Sequence, residues 1–126
     1  MHYIFDTSFI LSLVMIDDVN HKEAVKIFSS IPENTIFHIN EITYIELLTV
    51  ITYKLGFSST KTTKEMIMDL GTIFLNSGNM EYIKFFEFIG KKISVVDTSI
   101  VYDAMRYDLS ILTFDKEILQ LANKLQ

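Results

Sequence analysis

At 126 residues the chain is long enough for one domain with a single core, and the expectation is a single domain over 1–126. Hydrophobic residues make up 49%, against one proline and four glycines, which excludes a disordered or linker-rich chain; no apolar run approaches the ~18 residues of a membrane span. Zero cysteines exclude disulfides and thiolate metal sites, and the net charge of −5 disfavours a polyanionic partner only while the acids stay unneutralised by bound cations.

The elements follow in chain order. HYIF (2–5) reads as a short buried strand and SFILSLVMI (8–16) as a short apolar helix. DDVNHKEAVKIFSSI (17–31) suits a helix ending before Pro32, with Asp17 and Asp18 favouring its positive end. TIFHI (35–39) is a second strand. Asn40 caps a helix over 41–55 that Gly56 stops, and Ser59 or Thr60 caps another through about Leu70. TIFL (72–75) is a third strand closed by NSGN, and 80–92 is helical. ISVVD leads by a short turn into a helix over 98–107; SILTF (110–114) is the fourth strand, and 116–125 the last helix. Strands alternating with helices predict βαβ units and a parallel sheet between helical layers, with ligands collecting beyond the carboxyl ends of the strands. No basic leader precedes the first apolar run, so no secretion signal and a cytoplasmic location are expected.

Four acids stand out. Asp6 follows the first strand and Asp115 the fourth, where ligands of such sheets gather. Each also precedes a helix and reads equally as an N-cap, as does Asp97. Glu46 lies in ITYIELLTVI, a helix apolar nearly all round, so a solvated role suits it less well. Clustered carboxylates repel unless protons or a cation neutralise them, and an all-oxygen set selects Mg²⁺ or Mn²⁺ over zinc. Metal-assisted phosphodiester hydrolysis is the chemistry that such a set serves.

DTSF at 6–9, Glu46 in its helix, Asp97, and LTFD ending at Asp115 resemble the four-acid pattern of PIN-domain nucleases, and VVDTSIVYDAMRYDLSILTFD resembles its helix-to-strand stretch. The match spans nearly the whole chain, whose length is similar to that of VapC-type toxins of toxin–antitoxin pairs. The resemblance implies a three-layer, Rossmann-like α/β fold with a parallel sheet of four or five strands, one or two Mg²⁺ or Mn²⁺ ions, and endonucleolytic cleavage of RNA. It carries Asp6, Glu46, Asp97 and Asp115 over as metal ligands and catalytic residues, with Ser8 and Thr113 as supporting hydroxyls. It also implies a homodimer and a cognate antitoxin that blocks the acidic site.

Two features depart from the pattern. The given sequence stops at Gln126, where many relatives add a strand, so four strands or closure by another chain is expected. Tyr102 and Asp103 stand where small apolar residues are common. Asp103 lies six residues from Asp97, about 240° around a helix, so it is expected at the surface, paired with Arg106 or Tyr107.

Other candidates read as structural. His2, His21 and His38 show no ligand spacing; Lys54, Lys61 and Lys64 read as a solvated face rather than a phosphate rim; Phe85, Phe86 and Phe88 read as packing. An aspartyl-nucleophile phosphatase wants a second aspartate where Ser8 stands. A non-catalytic RNA- or protein-binding scaffold, and a nuclease of RNA processing rather than a toxin, are the remaining alternatives.

Overall fold

The computed structural model describes residues 1–125. Its elements are β1 (His2–Phe5), α1 (Thr7–Val14), α2 (His21–Ser30), β2 (Ile36–Asn40), α3 (Glu41–Leu55), α4 (Phe57–Asp69), β3 (Ile73–Leu75), α5 (Asn79–Ile89), α6 (Val95–Tyr107), β4 (Ser110–Leu112) and α7 (Lys116–Leu125). The four strands are all parallel, in the order β3-β2-β1-β4, so β1 is central and its neighbours come from opposite ends of the chain.

Alternation along the strands divides the core in two. Phe5, Phe37, Ile39 and Leu112 face one side, where α1 to α4 supply Phe9, Ile10, Ala24, Leu47, Ile51 and Ile67. Phe5 and Phe37 stack across β1 and β2 with ring centroids 5.0 Å apart. Ile4 and Ile111 face the other side, against Ile100, Val101 and Ala104 of α6 and Ile118, Leu121 and Ala122 of α7. This three-layer α/β arrangement is the fold class the sequence implies, with four strands. No helix among the described residues is long and apolar enough to cross a membrane.

Five helix starts differ from the sequence reading: the second helix begins at His21 rather than 17, with Asn20 at the cap position, and the fifth at Asn79 rather than 80. The first helix begins at Thr7, directly after Asp6. The fourth begins at Phe57 with Gly56 at the cap position (φ 93°), so neither Ser59 nor Thr60 caps it. The sixth begins at Val95 rather than 98, because the Ser94 side chain accepts the Asp97 N–H at 3.0 Å and closes the first turn. Asp97 therefore lies inside the helix, and Ser94 is its cap.

The surface expectation for Asp103 is overturned. It is fully buried: its Oδ2 accepts from the Tyr82 hydroxyl at 2.6 Å and from Asn40 Nδ2 at 3.2 Å, and its Oδ1 accepts from the Ser77 hydroxyl. The same Asn40 amide donates to Ser99 Oγ at 2.9 Å, while Asn40 Oδ1 caps α3 through the Thr43 N–H at 2.8 Å. One carboxyl thus ties α6 to α5, to the end of β2 and, through Asn40, to the start of α3.

Candidate functional site

Asp6 is 3% exposed at the carboxyl end of β1. Its backbone N–H donates to the Leu112 carbonyl at 3.0 Å, continuing the β1–β4 pairing. It occupies the N-cap position of α1, yet its side chain makes no cap bond. Oδ2 instead accepts from the Ser8 and Thr113 hydroxyls, each at 2.6 Å. The two hydroxyls lie 3.2 Å apart with their protons directed to Asp6, so that spacing reflects a shared acceptor. As acceptors they take the backbone N–H groups of Phe114 (3.0 Å, to Ser8) and Asp115 (2.9 Å, to Thr113). The turn after β4 is thereby fastened to the turn after β1.

Asp115 enters from that fastened turn, and its Oδ1 accepts the Glu117 N–H at 2.8 Å, a cap-type bond at the start of α7. Glu46 is half-buried on α3, where Oε1 accepts from the Thr7 hydroxyl at 2.9 Å. The sequence reading gives Thr7 no part in the site; the run Asp6-Thr7-Ser8 is the available signal, since both hydroxyls hold acids of the site.

Asp97 links these parts. Burial raises its carboxyl to about 6, helped by the charges of Asp6, Asp115 and, least, Glu46, with the Ser94 hydrogen bond opposing. The four acids come from the end of β1, α3, α6 and the β4–α7 turn, and Asp6, Asp115 and Glu46 all stand close enough to act on Asp97.

Their fit to a cation has two sides. Four carboxyls, three of them held by hydroxyls or backbone N–H groups, are the donor type that a hard divalent ion takes. Among the described residues, however, no three His, Asp or Glu side chains are already gathered as a ligating group. The donors match such an ion in chemistry but are not pre-set around one point.

The remaining candidates lie elsewhere. His2 Nδ1 and His38 Nε2 are 3.1 Å apart on β1 and β2, and burial, then His2, lowers the pKa of His38. His21 bonds the Ser12 carbonyl. Lys54, Lys61 and Lys64 are exposed. Phe85 packs on Tyr102 with ring centroids 5.2 Å apart, whereas Phe88 is exposed.

A parallel four-stranded sheet between helical layers, with acids beyond its strand ends, defines an α/β protein whose site is acidic. The sequence profile of the PIN domain matches residues 3–124, and the chain belongs to the PIN domain family. Its fold is similar to that of VapC20 from Mycobacterium tuberculosis, described as a sarcin-ricin loop cleaving toxin (TM-score 0.81, 14% identity, 94% of each chain covered). It is similar too to VapBC-1 from nontypeable Haemophilus influenzae (TM-score 0.73, 21% identity, 100% of this chain and 96% of that one). A third is VapBC2 from Rickettsia felis, bound to a DNA fragment from its promoter (TM-score 0.69, 13% identity, 98% and 95% covered). The sequence has no match among curated proteins.

Proposed function

We propose that this protein is a Mg²⁺- or Mn²⁺-dependent endoribonuclease and the toxin of a toxin–antitoxin pair. The observation that carries the reading is the electrostatic coupling of Asp97 to Asp6, Asp115 and Glu46, within a chain of the PIN domain family. A site where burial, and then three neighbouring carboxyls, raise a fourth toward neutrality gains from a cation.

Asp6, Asp97 and Asp115 are the residues that would hold one or two ions, with Glu46 either a further ligand or the group that orients the attacking water. Bound there, the ion supplies charge to grip the scissile phosphate, acidify a water and stabilise the leaving oxygen. The protein's own part is placement. Ser8 and Thr113 aim Asp6 by occupying Oδ2, Thr7 aims Glu46 by occupying Oε1, and the Glu117 N–H steadies Asp115.

The partners follow from the same reading. VapBC structures are similar in fold, which supports a cognate antitoxin, and an Arg or Lys inserted among the carboxylates suits the site's charge. Exposed Tyr53, Phe57 and Phe88 suit a homodimer, and a cytoplasmic RNA is the substrate of the proposal. A non-catalytic scaffold is the second reading, favoured by the absence of a pre-gathered ligand trio among the described residues.

Calorimetric titration of Mn²⁺ and Mg²⁺ into wild-type and Asp6→Asn protein, followed by incubation of both with mixed RNA, separates the two. Metal binding and cleavage that are both lost in the variant establish the nuclease. No metal binding by the wild type sinks it and leaves the scaffold.

A further inference from the structure

The stretch joining α5 to α6 and one side of α7 enclose an open hollow of about 320 Å³. Lys91, Lys92 and Lys124 line it, with Glu117 and Gln120 along the helix and buried Leu121 at its base. Glu117 and Lys124 are seven residues apart on α7, so they share a helix face about 10 Å apart. The hollow therefore has two ends. Glu117 is two residues beyond Asp115, and Ile93, which also lines the hollow, precedes Ser94, the cap of the helix that carries Asp97. This end adjoins Asp115 and Ser94 along the chain, and the hollow runs from it toward the lysines.

Three ammonium groups on one hollow are unexpected in a chain with 11 basic and 16 acidic residues. The one ion pair among the described residues, Lys84 with Glu81, lies on α5 and uses none of them. Lys91 and Lys124 are close enough that Lys124 and its charge lower the pKa of Lys91. Like charges so placed are relieved by an anion, and phosphate is the anion that point-charge lysines take.

We propose that this groove binds the phosphate backbone of single-stranded RNA next to the acid cluster, with Lys91, Lys92 and Lys124 holding a phosphate that neighbours the one cleaved. The nuclease reading supplies RNA as the substrate, but the groove is tested by binding without cleavage. Sequence reasoning passes over these lysines because Lys91 and Lys124 are far apart along the chain and meet only once α7 packs beside the α5–α6 stretch.

The test uses a short fluorescein-labelled RNA of mixed sequence, followed by anisotropy in EDTA across a range of salt. K91Q/K92Q/K124Q is compared with K22Q/K26Q/K54Q, which removes the same charge from exposed positions on the opposite layer. The groove variant is expected to bind about tenfold more weakly, with the slope of log affinity against log salt reduced by about 2. Arginine at the same three positions retains binding. Equal weakening in both glutamine variants, unchanged binding in the groove variant, or no RNA binding by the wild type overturns the groove. Cleavage is read separately in Mn²⁺. RNA bound through the groove but never cut removes the nuclease and leaves the groove standing; wild-type cutting by the groove variant does the reverse.

Discussion

Tyr82 on α5 and Asp103 on α6 share a 2.6 Å hydrogen bond, phenol donating to carboxyl, and neither side chain meets water. Burial and then this bond raise the pKa of Tyr82. A carboxyl with no ion-pair partner among the described residues is tolerated there because Tyr82, Asn40 and Ser77 all donate to it. Tyr82→Phe removes one of those donors while keeping the ring, and is expected to cost about 1–3 kcal/mol in urea unfolding. A loss below about 0.5 kcal/mol would mean that the network is dispensable.

Asp97 makes stability depend on pH when no metal is bound. Its folded value, about 6, lies above the ordinary 3.8, so the folded protein holds that proton more tightly than the unfolded chain. The resulting stabilisation is full below about 3.8 and is lost as pH rises to about 6. In EDTA, Asp97→Asn should gain melting temperature relative to wild type across that interval, with a constant difference above it. A difference that stays flat from pH 4 to 6 contradicts the raised value.

The same proton would compete with the proposed cation. Mn²⁺ affinity is expected to fall about tenfold per pH unit well below 6 and to change little above 7, as calorimetry at several pH values would show. With Mn²⁺ at a hundred times its dissociation constant, the wild type should gain about 2.7 kcal/mol of stability. Asp6→Asn should gain none. Equal stabilisation of both proteins would place the ion elsewhere.

Ser8→Ala and Thr113→Val each strip one donor from Asp6 Oδ2, and Thr7→Val frees Glu46. Each is expected to lower RNA cleavage by about 10–100-fold with the acids still present. Asp6→Asn is expected to abolish it. If the three hydroxyl variants cut at the wild-type rate, aiming the carboxyls is not what these groups do.

Much of this was legible in the sequence because it is local. Alternating strands and helices give the parallel sheet, and acids directly after HYIF and SILTF fall at strand ends whatever the packing. Asp103 was misplaced because a helical wheel assumes one wet face. On α6, residues 98–101, 103 and 104 are all buried, since α5, α7 and the sheet surround the helix. The fourth strand ends at Leu112 rather than Phe114 because the Asp115 and Phe114 N–H groups turn to Thr113 and Ser8. The start of α6 was misjudged for a smaller reason, a serine three residues ahead of Asp97 that outcompetes it as cap.

The Thr113–Asp6 bond joins positions 107 residues apart, and it forms only when β4 takes its place beside β1. During synthesis β1 emerges before β4 and waits, one flank open, while the elements between them are translated. A nascent or prematurely terminated fragment has Asp6 but lacks Thr113 to aim it and Asp115 to complete the acidic set. The acidic site therefore comes together only when β4 has docked beside β1, and an unfinished copy holds it incomplete.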